Sequence, residues 1–306
     1  DLSGWPYSTV SSCARRLHGF PRIARANRPP LWLPQAKMVQ MQWDSFQALR
    51  GVCRGMDVVI HLAAMNAQMC SMYPNAALQF NGDATELLLR SAIQEGVNRF
   101  IYMSTAHVYG SPLAGYIHEN TEIRALHPYA FSHRLGEKVV SHAHANQDID
   151  GVVIRLSNAY GFPVDVKVDC WMLLANDLCR QAVMTKKMVL QTSGMQRRDF
   201  VPLLDVCRAV EHFLQLPSST IDGGVFQVGG AWSPTVLEMA MVIQERCEKI
   251  LGFYPELSRN TSCNDEAHPL EYSIEALYNT GFQLTGDKVT ELDRLLTFCK
   301  QHFTMI

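Results

Sequence analysis

The stretch D-V-V-I-H-L-A-A, Asp57 to Ala64, decides the fold. It is nearly continuously apolar, so both of its alternating faces suit burial, as in a strand covered by helices on either side. The segments around it follow the same logic. S-F-Q-A-L-R-G-V-C-R just before it has helical spacing, and upstream R-I-A-R-A-N and K-M-V-Q-M look like two further strands. After it come a helix around Asn75–Glu95, the strand R-F-I-Y-M-S-T (Arg99 to Thr105), a helix carrying Tyr129, and the strand G-V-V-I-R-L-S-N (Gly151 to Asn158). This alternation predicts βαβ units and an α/β fold with a doubly wound parallel sheet. In such a fold a ligand cleft lies outside the carboxyl ends of the strands.

From about Gly161 the alternation loosens. A Leu- and Ala-rich helix (Trp171 to Lys186) leads to a strand M-V-L-Q-T-S and then to R-R-D-F-V-P-L-L-D-V-C-R-A-V. The strand G-G-V-F-Q-V-G-G reads as a return to the main sheet, and helices near Thr235–Leu251 and Val289–His302 follow. The expected division is a nucleotide-binding domain of residues 1–160 plus 202–230 and a smaller lobe of residues 161–201 plus 231–306.

Composition narrows the function. A chain of 306 residues, 47% hydrophobic, can bury a large core. A net charge of −2 offers no electrostatic case for nucleic acid or an anionic membrane surface. No apolar run approaches the roughly 20 residues a membrane helix needs, and the first residues have no signal-peptide character. The nine cysteines are scattered, with no C-x-x-C pair, and read as free thiols of a cytoplasmic protein. His142 and His144 are i, i+2 on a helix and point to different faces, so no metal site is expected there.

The chemistry concentrates in H-P-Y-A-F-S-H, where Tyr129 and His133 share a helix face. Four segments in order, D-V-V-I-H-L-A-A, S-T-A-H-V-Y-G (104–110), Y-A-F-S-H-R-L-G-E (129–137) and V-I-R-L-S-N-A-Y-G (153–161), resemble the extended short-chain dehydrogenase/reductases. Within these the resemblance is to the NAD-dependent epimerase/dehydratase family of nucleotide-sugar enzymes. R-R-D-F-V-P-L-L-D-V (197–206) resembles the family's substrate-side motif.

The resemblance implies a Rossmann-like sheet with a smaller C-terminal substrate-binding lobe, NAD as cofactor with NADP as the alternative, and a nucleotide sugar as substrate. Removing hydride from an alcohol requires a base for the hydroxyl proton. A tyrosine with a pKa of about 10 serves only if positive charge stabilises its phenolate. By position, Tyr129 is the implied acid–base residue and Thr105 the hydroxyl that binds the reacting oxygen. Asn158 is placed near the nicotinamide, and the backbone at Leu62, Ala63 and Ala64 along the cofactor. Gly4, Gln42, Asn81 and Ser104 complete the implied cofactor set, and Arg198 suits a substrate diphosphate. Taken singly, Tyr129 reads as a packing residue and Thr105 as a strand cap, but their joint order favours the site; for Arg198 an ordinary surface pair with Asp199 stands as the alternative. The family's homodimers use two helices, here Asn75–Glu95 and Tyr129–Asn146.

The chain departs from the pattern in three places. His133 stands where the family has lysine, and at its ordinary pKa of about 6.5 it carries little charge at neutral pH. The glycine-rich turn falls on S-G-W-P-Y-S-T-V (3–10), where only Gly4 remains, and bulky residues there obstruct close approach of a pyrophosphate. Gln42 replaces an acidic residue beside the adenine, with Asp44 close by. Arg25 and Arg28 would favour a 2′-phosphate, although solvated surface arginines are the plainer reading. Ala106 and His107 stand where the family's dehydratases carry Asp-Glu, which disfavours dehydration. The expectation is therefore an epimerase, with a sugar-ketone reductase or a catalytically impaired binding protein as alternatives.

Overall fold

The computed structural model describes residues 36–262 and 267–304. The segments R-I-A-R-A-N and S-G-W-P-Y-S-T-V, and with them Gly4, Arg25 and Arg28, lie outside the described residues. The elements in chain order begin with α1 (Phe46–Cys53), β1 (Val58–His61), α2 (Ala67–Met72), α3 (Pro74–Ala77) and α4 (Ala84–Gln94). Then follow β2 (Arg99–Thr105), β3 (Gly115–Ile117), α5 (Pro128–Ala145), β4 (Asp150–Leu156), β5 (Asn158–Tyr160), α6 (Leu174–Thr185) and β6 (Lys187–Leu190). The chain closes with β7 (Phe200–Pro202), α7 (Leu203–Gln215), β8 (Val225–Val228), α8 (Val236–Leu251), β9 (Glu256–Arg259), β10 (Leu270–Tyr272), α9 (Glu275–Asn279) and α10 (Thr290–Phe303).

Two compact units emerge. The first holds the described residues through Gly110, Glu122–Arg155 and Phe213–Phe226; the second holds Ser111–Thr121, Leu156–His212 and the described residues from Gln227 onward. By these bounds the chain re-enters the first unit at Phe213. The start of α7 explains this: Asp205 accepts hydrogen bonds from the Thr285 N–H and hydroxyl, and Arg208 donates to the Gln283 carbonyl. Those bonds tie the helix to the C-terminal part of the chain.

The main sheet has the order β1-β2-β4-β8, with β1 and β2 parallel from Val58↔Arg99 to His61↔Tyr102. The doubly wound α/β architecture expected from the alternation is present. In the first unit the sheet and helices bury Leu49, Leu88, Phe100, Val140 and Val153 in one apolar core. Burial on both faces explains why β4 reads V-V-I and β2 F-I-Y without alternation. The second unit has its own core of Leu178, Met188, Met239, Ile243 and Leu295. Its small parallel pairs are β3–β10, β5–β7 and β6–β9.

Three expectations need correction. K-M-V-Q-M is not a strand, because an extended segment becomes one only when a neighbour completes its ladder, and none does so among the described residues. Asp57–Ala64 shortens to Val58–His61, since its last residues leave the ladder at the carboxyl end of the sheet. The helix expected around Asn75–Glu95 is interrupted by a π-helical turn over Leu78–Asp83. That turn carries the buried Asn81, so the irregularity coincides with a residue used for tertiary contact.

The seven described cysteines are all free thiols. Among the described residues no helix is long and apolar enough to cross a membrane, and no group of His, Cys, Asp and Glu is placed to hold a metal ion.

Candidate active site

Helix α5 starts where local chemistry demands. The His127 side chain caps it by accepting from the Tyr129 N–H at 3.1 Å, and Pro128 occupies the first turn, where no N–H is needed. Ala130, His133, Glu137 and Val140 then recur at helical spacing and are buried. Gly136 lies under the Tyr102 ring: a Cβ there would come within 2.4 Å of the Tyr102 hydroxyl oxygen. Only glycine lets α5 pack this closely on β2.

Thr105 ends β2 and caps a 3-10 turn, Ala106–Tyr109, by accepting from the His107 N–H at 3.2 Å. The same hydroxyl hydrogen-bonds the Tyr129 side chain. Tyr129 is partly buried against Met65, Cys70 and Phe80. Burial pushes its phenol above its ordinary pKa, and the Thr105 hydrogen bond only partly counters this. Thr105, Tyr129 and His133 are thus brought together at the carboxyl end of β2.

His133 is 3% exposed, and its ring meets Tyr129 edge-on at 4.6 Å between centroids. Its Nδ1 lies 3.2 Å from the Tyr102 hydroxyl, whereas its buried Nε2 has no hydrogen-bond partner among the described residues. Desolvation holds its pKa down at about 4 despite Glu137, and His107 adds to the depression. His133 is therefore neutral at physiological pH. It does not supply the charge that a lysine would give Tyr129.

Beneath this pair lies an ionic network absent from the sequence reading. Glu137, 0% exposed, accepts from the Ser104 hydroxyl at 2.6 Å, from Arg155 through Nε at 3.0 Å and Nη2 at 2.9 Å, and from Arg134 at 2.8 Å. Arg155 also donates to the Tyr109 hydroxyl at 2.7 Å and lies over that ring. A charged residue inside the apolar run V-V-I-R-L was the available signal, because a buried arginine requires a partner.

The remaining expected residues divide clearly. Leu62, Ala63 and Ala64 leave the end of β1 as partly or fully exposed backbone beside the buried Met65. Asn81 is 1% exposed and engaged at both ends, accepting from Met65 N–H at 2.8 Å and donating to the Ser132 hydroxyl at 2.9 Å. It pins the loop after β1 to α5. The Ser104 hydroxyl is likewise committed, to Glu137, and Gln42 is exposed in the turn before α1. In the second unit, Asn158 opens β5 and donates to the Asp199 carbonyl at 2.9 Å. Arg198 does not pair with Asp199, whose carboxylate is buried and accepts from the Gly230 and Trp232 N–H groups.

A second buried imidazole lies beside the first. His61, 3% exposed, bonds the Thr85 hydroxyl at 2.8 Å and packs on Tyr102; burial lowers its pKa to about 3. Both histidines are neutral in the folded protein and protonate more readily when unfolded. Their depressed folded pKa values leave stability intact above about pH 6.5 and erode it as pH falls toward 4 and 3. Glu291, raised to about 7 by burial, acts oppositely and loses stability as pH rises from 4.5 to 7. Two histidines against one glutamate predict that urea midpoints drop as pH falls from 6.5 to 4.5. Replacing His61 with glutamine should flatten that slope; an unchanged slope would refute the assignment.

Comparison with known proteins agrees with this architecture. The family model "NAD dependent epimerase/dehydratase family" matches residues 7–229. A dTDP-D-glucose 4,6-dehydratase of Mus musculus is 30% identical over 238 residues, covering 74% of this chain and 63% of that protein. The uncharacterized UDP-glucose epimerase YtcB of Bacillus subtilis is 28% identical over 218 residues, covering 70% of this chain and 66% of that protein. The chain thus spans less than two thirds of the length of these relatives. Among solved structures, the UDP-glucose 4-epimerase of Thermotoga maritima with UDP-glucose superposes with a TM-score of 0.73 at 17% identity, covering 86% of this chain and 84% of that one. The UDP-glucuronic acid 4-epimerase of Bacillus cereus, in complex with UDP-glucuronic acid and NAD, gives 0.69 at 23% identity and covers 84% and 80%. With the fold, the order of its motifs and this match in agreement, the chain belongs to the NAD dependent epimerase/dehydratase family.

Proposed function

We propose that this protein is an NAD(P)-dependent nucleotide-sugar epimerase of the cytoplasm in which Tyr129 moves the proton of the reacting sugar hydroxyl. The observation that carries this reading is the Thr105–Tyr129 hydrogen bond at the carboxyl end of β2. It presents two hydroxyls to one substrate oxygen, one to orient it and one to exchange its proton.

The residues present fit the nicotinamide end of such a cofactor. The buried Nε2 of His133, beside Tyr129, has no partner among the described residues, a state that costs about 1–3 kcal/mol unless a partner such as a ribose hydroxyl is supplied. His133 and the Leu62–Ala64 backbone would hold the cofactor, whose nicotinamide, when bound, accepts and returns a hydride. Thr105 then fixes the sugar oxygen, and Tyr129 takes and later returns its proton. Arg198, free of Asp199, is the proposed contact to the substrate's phosphates. The α4–α5 face lined by Arg90, Ile93, Lys138 and Val139 is the proposed homodimer surface.

A second reading, a catalytically impaired relative with a binding role, is favoured by one observation: neutral His133 leaves the Tyr129 phenol protonated. Cofactor content separates the two. Denatured protein should release NAD(H) or NADP(H), and calorimetry should detect binding of one of them; no binding at millimolar concentration would sink the enzyme. Activity is then sought with UDP- and dTDP-hexoses. In the enzyme, His133→Lys should raise turnover at pH 7 about tenfold, the gain in ionised Tyr129 for one unit of pKa. Loss of activity in that variant would instead give His133 a role of its own.

A further inference from the structure

We propose that His107 is the proton relay between Tyr129 and solvent. This rests on Tyr129 being the residue that exchanges the substrate proton. His107 lies on the 3-10 turn that follows β2, and its backbone N–H is fixed on the Thr105 hydroxyl at 3.2 Å. Thr105 is also the group that bonds Tyr129, so one threonine sets the position of both rings. The His107 and Tyr129 rings are edge-on at 6.3 Å between centroids. His107 is exposed, whereas His133, on the other side of Tyr129, is buried. Of the two imidazoles packed on the tyrosine, His107 alone can trade protons with water.

The need for a relay follows from the surroundings of Tyr129. Among the described residues no cation stabilises a phenolate at Tyr129, and the Arg155 and Arg134 guanidinium groups near α5 are paired with Glu137. A neutral phenol still conducts a proton if it gives one up as it takes one. As the substrate O–H bond breaks, a new O–H bond forms on Tyr129 Oη, while the original Oη–H proton passes to a ring nitrogen of His107, directly or through one water. A bound nicotinamide would take the hydride from the same carbon. The imidazolium then loses its proton to solvent, and the reverse sequence accompanies return of hydride. The rotamers of an exposed side chain exchange in picoseconds to nanoseconds, so the ring can carry the proton outward.

Tyr129 and His133 approach this corner from α5, and Cys70 approaches Tyr129 from α2. The segment held on the 3-10 turn by the Arg124 N–H to Val108 carbonyl bond brings Arg124 and Glu122, which pair with each other at 2.7 Å.

The test uses the full chain without ligand, labelled with 13Cζ tyrosine. Exchange of the Tyr129 hydroxyl proton is read from the deuterium isotope shift in mixed H2O and D2O, and Tyr129→Phe assigns the signal. Exchange should accelerate through one inflection as an imidazole loses its proton with rising pH. In His107→Gln it should slow at least tenfold and lose that inflection, while an exposed side chain leaves folding unchanged. The same result in His107→Asn excludes an effect of side-chain length. Exchange that is equally fast and equally pH-dependent in both variants overturns the proposal. The measurement is independent of cofactor: absent NAD(P) binding removes the proposed function and leaves the exchange result standing.

Discussion

Tyr129→Phe is expected to lower kcat/KM by about 10²- to 10⁴-fold, the usual contribution of a positioned acid–base group. The loss should fall on kcat, with KM for the nucleotide sugar nearly unchanged, because the deleted atom acts on a proton rather than on the nucleotide. The ring stays packed against Met65 and Phe80, so the substitution removes one hydroxyl bonded to Thr105 and little else. Unfolding midpoints should therefore move little, by an amount consistent with about 0.5–1.5 kcal/mol for one hydrogen bond. Activity within threefold of the parent chain would remove Tyr129 from the reaction. Substrate for this measurement comes from the hexose nucleotide screen described above.

Glu137→Gln should be the most destabilising conservative change in the first unit, costing about 3–5 kcal/mol. The carboxylate is fully buried and receives two bonds from Arg155, whose side chain is only 4% exposed. An amide keeps the shape but leaves that guanidinium charged, desolvated and short of its anion. The Tyr109 hydroxyl would remain to Arg155, but a neutral oxygen does not replace a carboxylate. Urea unfolding followed by tryptophan fluorescence gives the loss directly. The double variant Glu137→Gln, Arg155→Met should recover part of it, since removing both charges is far cheaper than stranding one. A loss below about 1 kcal/mol in the single variant would show that water reaches Arg155, contrary to its burial.

These two residues also show how differently the site was written in the sequence. Tyr129 was legible because its type, its helix and its place after S-T-A-H-V-Y-G all carry local information. Thr105 was legible for the same reason, as the last residue of a strand whose apolar run ends in hydroxyls. Glu137 looked like an ordinary polar residue on a helix face. Its partner Arg155 interrupts a buried strand, which signals that an anion must exist without saying where. Asn81, expected along the cofactor, places its side chain between the Met65 N–H and the Ser132 hydroxyl, a tertiary contact its sequence neighbours do not announce.

The sequence by itself determined the alternation of strands and helices, the direction of the sheet and the family. Each of these follows from periodicity, from end signals such as His127–Pro128, and from the order of short motifs, all of which are local in the chain. Tertiary structure alone decided the charge at the site. Whether His133 is cationic depends on how much water reaches it, and Tyr102, Tyr129 and the close packing allowed by Gly136 exclude that water. Desolvation is a property of the three-dimensional surroundings, summed over residues far apart in sequence. For that reason the same imidazole that reads as a weak substitute for lysine is, once folded, a neutral one.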